Sequence, residues 1–287
     1  MMLISLINGI ASDYLNSSDR AIHYGDGIFE TILCFGNKLY YWQKHFQRLQ
    51  KSAIKLGLHC PQEQTFLEDI AKLLKANDAH SKQAYAIKII LSRGVGERGY
   101  VVDKNNICNR LLFLSTIEEG YSSLLSIRLL SGDLFLCQQQ VSINENLAGI
   151  KHLNRLENVL ARSEWTGDKF IDGLMLNANN HIIEGTMSNL FAIKHGRLYT
   201  PALNMSGVRG VMRDVIIDIA ESSNIDVTIK TLTVNEVITM DALFISNSLI
   251  GMKYVTQFNG HRYNNDMVTN TIFTQLLNKG DDYAQSV

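Results

Sequence analysis

The sequence lacks the features of several protein classes. It has no apolar run near the roughly 20 residues needed to span a bilayer. Its start, MMLISLINGIASDYLNSSD, lacks the basic segment and the cleavage site of a secretory signal peptide. A formal net charge of −1 gives no strongly basic surface for nucleic acid or anionic lipid. We therefore expect a soluble, cytoplasmic protein that binds neither nucleic acid nor membrane.

Paired cysteines are also missing. Cys34, Cys60, Cys108 and Cys137 are widely spaced and form no C-x-x-C pair. This pattern is typical of reduced cytoplasmic residues and predicts neither a disulfide framework nor a metal site. What the chain does have is 287 residues, of which 46% are hydrophobic and 19% charged. That is enough to build a buried core in two domains of ordinary size.

Apolar periodicity predicts an alternation of strands and helices. Strands are expected at 28–35, 38–42, 84–92, 111–117, 170–176, 190–193, 242–246 and 254–258. Helices are expected at 45–58, from Pro61 onward, and at 153–165, 211–220 and 267–277. A polar break beginning at Glu118 predicts an N-terminal α/β domain of residues 1–118, a linker of 119–123 and a C-terminal α/β domain of 124–287.

Lys151 lies between an apolar stretch and an amphipathic segment. A lysine that points inward there loses stabilisation of its charged form, so its amine becomes a nucleophile suited to a Schiff base. Glu184 lies between two expected strands, where it could face a ring nitrogen and hold it protonated. The same positions also suit a surface lysine at a helix start and a solvated turn carboxylate.

Residues 206–214, SGVRGVMRD, lead directly into an expected helix. Glycine permits close approach of an anion, and the first N–H groups of a helix can bind a phosphate. The segment matches neither a Walker loop nor a dinucleotide turn, and a plain helix entry also fits it. Arg48 is a further candidate phosphate partner, and Arg98 could pair with a carboxylate. Either arginine could equally be solvated.

Together these segments resemble one family. The run GIKHLNRLE at 149–157 is similar to the lysine segment of bacterial aminodeoxychorismate lyases. The resemblance continues in order through DRA at 19–21, GDG at 25–27, FET at 29–31, HFQRL at 45–49, SRG at 92–94, RGY at 98–100, EG at 184–185, SNLF at 188–191 and GVMR at 210–213. It implies fold type IV of the pyridoxal-phosphate enzymes, a two-domain α+β/α/β fold shared with branched-chain and D-amino acid aminotransferases.

The resemblance also implies roles for residues. Lys151 would form the Schiff base with pyridoxal 5′-phosphate, and Glu184 would pair with its pyridine nitrogen. The phosphate would be held by Arg48, the backbone N–H groups of Val211 and Met212, and Ser248. The substrate would be contacted by Phe29, Arg98 and Tyr100. Arg98 and Tyr100 match positions that, in D-amino acid aminotransferases, act from the neighbouring subunit of a homodimer.

The same resemblance favours one reaction. A lyase of folate biosynthesis would remove a proton from 4-amino-4-deoxychorismate and eliminate pyruvate to leave 4-aminobenzoate. The segment SNSLIG at 246–251 lacks the Glu and Pro common in the aminotransferases, and Arg155 stands about where branched-chain enzymes have a tyrosine. The alternatives are a D-amino acid or branched-chain aminotransferase and a non-catalytic member of the family. Retention of both Lys151 and Glu184 argues against the latter.

Overall fold

The computed structural model describes residues 3–103, 106–126, 128–279 and 284–287. The strands are β1 Leu6–Ile7, β2 Ile10–Ala11, β3 Gly27–Phe35, β4 Lys38–Tyr40, β5 Ala84–Ser92, β6 Asn109–Ile117, β7 Leu130–Leu136, β8 Phe170–Leu176, β9 His181–Gly185, β10 Asn189–Lys194, β11 Arg197–Pro201, β12 Val227–Lys230, β13 Leu232–Thr233, β14 Ala242–Asn247, β15 Gly251–Phe258, β16 His261–Arg262 and β17 Ala284–Ser286. The α-helices are α1 Arg20–Tyr24, α2 Trp42–Leu56, α3 Glu63–Ala76, α4 Leu156–Arg162, α5 Val211–Ser222, α6 Val234–Val237 and α7 Met267–Lys279. No described helix is long and apolar enough to cross a membrane.

The chain divides into two compact units. The first contains residues up to Glu119, the short segment Lys151–Asn154 and strand β17. The second runs from Gly120 to Ile150 and from Arg155 through α7. The chain first passes from the first unit to the second after Glu119, and the expected division into domains 1–118 and 124–287 with a linker between them stays a prediction. The sequence did not indicate the two later returns to the first unit.

The first unit is built on a seven-stranded sheet with the order β17-β4-β3-β5-β6-β1-β2. Its long central strands, β3, β5 and β6, pair antiparallel over almost their whole length. Helix α2 packs on β3 because its residues Trp42, His45, Phe46 and Leu49 recur at helical spacing and are buried. This packing also brings a polar side chain of α2, His45, against the buried face of β3.

The second unit contains a ten-stranded mixed sheet with the order β12-β11-β10-β14-β15-β7-β8-β9-β13, and β16 pairs with β15. Most neighbours are antiparallel, whereas β7 runs parallel to both β8 and β15. Helix α5 packs against β14 and α7 through the buried residues Val211, Val215, Ile216 and Ile219. Because the apolar residues of α5 hold the helix against β14 and α7, they also determine the position of its N-terminus.

The strands expected at 84–92 and 170–176 are confirmed with the same bounds. The helix expected at 211–220 is confirmed and extends to Ser222. The helix expected at 153–165 was wrong in its bounds, because α4 begins at Leu156 and ends at Arg162. The residues before α4 are extended instead, since they pair with a strand of the first unit. Strands β11 and β12 were not predicted. They pair parallel to each other, and 25 residues separate the end of β11 from the start of β12.

Candidate functional site

Lys151 is fixed through its backbone at the edge of β3. The N–H of Phe29 donates to the carbonyl of Lys151 (2.9 Å), and the N–H of Leu153 donates to the carbonyl of Gly27 (3.0 Å). Paired antiparallel residues point to the same face of a sheet, so the side chains of Lys151 and Phe29 lie together. The Nζ atom of Lys151 is 4.3 Å from the centroid of the Phe29 ring.

A second lysine contacts the same ring. Lys88 lies on β5 next to β3, and its Nζ atom is 5.1 Å from the Phe29 centroid. Ring faces attract cations, so Phe29 holds two ammonium groups in one neighbourhood. This arrangement makes the site attractive to an anionic molecule. The nucleophilic state of the Lys151 amine stays a prediction.

Arg48 belongs to a buried polar cluster of the first unit. Its Nε donates to Oε1 of Glu30 (2.8 Å) and its Nη2 donates to Oε2 (2.6 Å). His45 Nδ1 also contacts Oε2 of Glu30, at 2.6 Å. Glu30 is 2% exposed and His45 is 0% exposed. The predicted phosphate arginine is thus held in a fork by a buried carboxylate.

Arg98 and Tyr100 lie in an outward-facing loop of the first unit. The N–H of Gly99, between them, donates to the hydroxyl of Tyr24 (2.9 Å), and Arg20 donates to the Gly99 carbonyl (2.9 Å). The Tyr100 side chain is 86% exposed, and Arg98 is exposed as well. The loop backbone is therefore anchored and both predicted substrate residues are exposed, although the Tyr100 ring also contacts the ring of Tyr24, with their centroids 5.5 Å apart.

Glu184 is the buried carboxylate at the end of β9 in the second unit. Its Oε2 accepts a hydrogen bond from the N–H of Val208 (2.8 Å), and the residue is only 4% exposed. Asn189 supports the same loop: its Nδ2 donates to the Val208 carbonyl (3.0 Å) and its Oδ1 accepts from Gly210 N–H (3.1 Å). These bonds fix the 206–210 loop against the ends of β9 and β10.

Two glycines permit this close approach. Gly207 has a φ of +81°, and an added Cβ would lie 2.6 Å from Ile183 and 3.3 Å from the Glu184 carboxyl carbon. At Gly210 an added Cβ would overlap Oδ1 of Asn189. Gly210 is also the N-cap of α5 and supplies no side-chain cap. The N–H groups of Val211 and Met212 therefore begin a helix with no partner inside it.

Ser248 lies in the turn that follows β14. It is half-buried, and the neighbouring Asn247 orders the turn by accepting from the N–H groups of Leu249 and Ile250, both at 2.9 Å. The adjacent Ser246 is buried, and within the described part of the chain its hydroxyl has no hydrogen-bond partner.

Arg155 lies within electrostatic range of Glu184 in the second unit. Burial lowers the pKa of the Arg155 guanidinium, and the Glu184 carboxylate acts in the opposite direction. Its Nη1 also donates to Oδ1 of Asn158 (3.4 Å). Arg155 is therefore part of the electrostatic environment of Glu184.

Sequence reasoning assigned no role to Asp172. This fully buried side chain on β8 accepts hydrogen bonds from the Thr186 hydroxyl (2.6 Å) and the Ser188 hydroxyl (2.5 Å), and from the N–H groups of Thr186 (3.0 Å) and Gly173 (2.7 Å). Burial raises its pKa, although these hydrogen bonds lower it. Asp172 thereby closes the turn directly after Glu184.

Glu30 and His45 belong to the FET and HFQRL motifs, which by themselves indicated no role for either residue. The signal that could have identified Glu30 was its place on the core-facing side of β3, because it shares that face with the buried Ile28 and Ile32. Such a residue is expected to have a charged partner. Identifying that partner required the packing of α2 on β3.

Comparison with known proteins places these features in context. Residues 27–258 match the family described as amino-transferase class IV. An aminodeoxychorismate lyase from Vibrio harveyi is 34% identical over 259 residues, which cover 87% of this chain and 89% of the relative. A putative branched-chain-amino-acid aminotransferase from Methanocaldococcus jannaschii is 29% identical over 259 residues, which cover 87% of this chain and 84% of the relative. The crystal structure of 4-amino-4-deoxychorismate lyase from Pseudomonas aeruginosa superposes with a TM-score of 0.84 at 30% identity, covering 97% of this chain and all of that one.

Proposed function

This chain belongs to the class IV aminotransferase family and has fold type IV of the pyridoxal-phosphate enzymes, and we propose that it is the lyase that converts 4-amino-4-deoxychorismate to 4-aminobenzoate and pyruvate. The observation that carries the proposal is its similarity, over nearly the whole length of both chains, to relatives named for that lyase. The expected lyase reaction and the expected cofactor, pyridoxal 5′-phosphate, both follow from this relationship.

The residues present fit the cofactor. An aldehyde needs an amine, which Lys151 supplies from a backbone position fixed on β3. A pyridine nitrogen that must stay protonated needs a carboxylate, and Glu184 is buried and oriented by Val208. A phosphate needs N–H donors and a cation, and Val211, Met212 and Arg48 are of those kinds.

When bound, the cofactor supplies an electron sink that weakens the bond from hydrogen to the carbon bearing the substrate nitrogen. Lys151 would first hold the cofactor covalently and, once displaced, accept that proton at Nζ. Glu184 would keep the ring nitrogen protonated. Breaking the bond between the ring carbon and the ether oxygen would leave an aromatic ring and release enolpyruvate. Its protonation at carbon would give pyruvate, and because one proton is lost and one gained, the products balance the substrate without added water.

The remaining roles concern binding. Arg48, the N–H groups of Val211 and Met212, and Ser248 would hold the phosphate. Phe29 would line the substrate position, and its contact with Lys151 supports that role. Arg98 and Tyr100 would bind the substrate carboxylate of a neighbouring subunit. Their exposure supports that role, since a side chain that serves another chain must face outward.

A homodimer follows from the same reasoning. Tyr100, Val101 and Ile107 expose large apolar side chains on the first unit, and Leu156 and Val159 do so on the second. Exposed apolar side chains favour a protein interface when they are adjacent, as Tyr100 and Val101 are in the sequence. We propose that these residues lie in the contact between two copies of a cytoplasmic enzyme, which light scattering of the purified protein would test.

An aminotransferase is the second candidate, favoured by the 29% identical relative named for that activity. The two reactions differ in their need for an amino acceptor. The lyase would turn over 4-amino-4-deoxychorismate alone, whereas an aminotransferase would require a 2-oxo acid. Activity only with D-alanine or a branched-chain amino acid plus 2-oxoglutarate would replace the proposed function with the second candidate.

A further inference from the structure

Glu30 occupies an unusual position for a carboxylate. It lies on β3 directly after Phe29, and because alternate residues of a strand face opposite sides, it points away from the face shared by Phe29 and Lys151. Its neighbours on its own face are the buried Ile28 and Ile32. A carboxylate in such surroundings costs free energy unless charged partners compensate for it.

The partners of Glu30 come from one face of α2. Arg48 and His45 are three residues apart, so both side chains lie on the same side of the helix. Arg48 meets the carboxylate through two parallel hydrogen bonds, at 2.8 and 2.6 Å, and His45 meets Oε2 at 2.6 Å. His45 therefore orients the Glu30 carboxylate, and the carboxylate holds the Arg48 guanidinium in place.

The charge states follow from the surroundings. Burial by itself raises the pKa of Glu30, but the charge and hydrogen bonds of Arg48 and the contact with His45 bring it down to about 2. Burial lowers the pKa of His45 despite the nearby carboxylate. The ring is thus neutral at pH 7, and its Nδ1–H donates to Glu30. Within the described residues, Nε2 of His45 has no hydrogen-bond partner, so the ring acts through Nδ1.

This arrangement fixes the direction of Arg48. A guanidinium group has five N–H donors in one plane. The two hydrogen bonds to Glu30 use the N–H of Nε and one N–H of Nη2. The plane of the group and the direction of its other donors are thereby set before any ligand arrives. Replacing a buried ion pair with apolar residues is often neutral or stabilising, so stability alone gives little reason for the cluster.

We propose that Glu30 and His45 are positioning residues that hold the Arg48 guanidinium ready for the phosphate of pyridoxal 5′-phosphate. The proposal rests on the proposed function, because it requires this cofactor. It assigns neither residue a contact with the cofactor: His45 orients Glu30, and Glu30 orients Arg48. The pre-set direction lowers the conformational entropy that Arg48 loses on binding.

The test compares two ligands of the cofactor-free protein, pyridoxal 5′-phosphate and pyridoxal, which lacks the phosphate. Both form a coloured Schiff base, so absorbance titration gives a dissociation constant for each. Glu30→Gln is expected to weaken binding of the phosphorylated ligand about tenfold or more, as loss of a supporting residue commonly does, and to leave pyridoxal binding within about twofold. Glu68→Gln, an exposed glutamate on α3, is the matched control and should change neither constant.

His45 supplies a second route if Glu30→Gln does not fold. His45→Asn keeps an N–H donor near the position of Nδ1 and is expected to retain most of the phosphate preference. His45→Phe removes the donor and should lose it. Equal weakening of both ligands, or unchanged preference for the phosphate in Glu30→Gln and His45→Phe, would overturn the proposal. A wild-type protein that binds neither ligand would instead contradict the proposed function itself.

Discussion

The two units each bury a carboxylate near residues proposed for the site, and they stabilise it in opposite ways. Glu30 in the first unit is surrounded by cationic and histidine side chains, which hold its pKa low. Asp172 in the second unit is surrounded by hydroxyl and N–H groups, and its burial holds its pKa high. Charged partners suit Glu30, which orients the side chain of Arg48. Neutral donors suit Asp172, which organises the backbone turn after Glu184.

The difference extends to the groups that each unit would offer the cofactor. The first unit offers side chains, namely Lys151, Arg48 and Phe29. The second offers one carboxylate, Glu184, together with backbone N–H groups at the start of α5. A backbone donor remains when its side chain is replaced, so substitutions should be far more damaging in the first group than at Val211 or Met212.

The largest effect is expected at Lys151. Lys151→Ala should lower turnover by about 10³-fold or more, because it removes both the covalent attachment and the proton acceptor. The variant should bind cofactor only non-covalently. Borohydride reduction followed by peptide mapping of the wild type checks the assignment, and label on a different lysine would refute it. Met212→Leu, which keeps the N–H group, should remain active in the same assay.

Glu184→Gln should produce the next largest effect. The amide keeps an acceptor for the Val208 N–H but loses the charge that keeps the ring nitrogen protonated. Turnover should fall about 10²-fold, while the free energy of unfolding changes by about 1 kcal/mol or less. Parallel kinetic and denaturant measurements check this, and a comparable loss of both properties would instead indicate that Glu184 has a structural role.

Asp172→Ala should mainly reduce stability. It leaves the hydroxyls of Thr186 and Ser188 and the N–H of Gly173 without this acceptor, at a cost of about 3 kcal/mol or more. Ser188→Ala removes a single donor and should cost about 1 kcal/mol. Urea unfolding of both variants provides the comparison. Equal, small losses would mean that Asp172 does not organise the turn.

The smallest effects are expected in the pH dependence of stability, where the two carboxylates should act oppositely. The pKa of Glu30 is lower in the folded state, so its contribution is present above its ordinary pKa of 4.5 and is lost as the pH falls toward about 2. The pKa of Asp172 is higher in the folded state, so its protonation adds stability as the pH falls toward its ordinary pKa of 3.8.

Glu30→Gln should therefore flatten the loss of stability in acid relative to the wild type, and Asp172→Asn should steepen it. The measurement is the free energy of unfolding by urea at several pH values between 2 and 7, with each variant compared with its own value at pH 7. A shared direction of change in the two variants would show that the contrast between the carboxylates is mistaken.

Local patterns in the sequence were sufficient for much of the fold. The β-branched and apolar residues of β5 and the apolar period of α5 specify those elements without reference to the rest of the chain. The extended form of Lys151–Leu153 could not be predicted in this way, because it depends on pairing with β3 more than 100 residues earlier in the chain. The same long-range pairing assigns the lysine to the first unit.

The site was predictable to a similar extent. Individual motifs identified Lys151, Glu184 and Arg48 as candidates, but the contact between Glu30 and Arg48 joins two motifs 18 residues apart through the packing of a helix on a sheet. The role of Asp172 likewise depends on a strand pairing that brings it to the turn at Thr186.

The most direct test of the central claim is to supply the holoenzyme with 4-amino-4-deoxychorismate as sole substrate and to quantify 4-aminobenzoate and pyruvate in the same samples. The account predicts that both products appear in equal amounts with no amino acceptor present, and that neither appears with Lys151→Ala. A holoenzyme that forms neither product while carrying bound cofactor would contradict the lyase assignment.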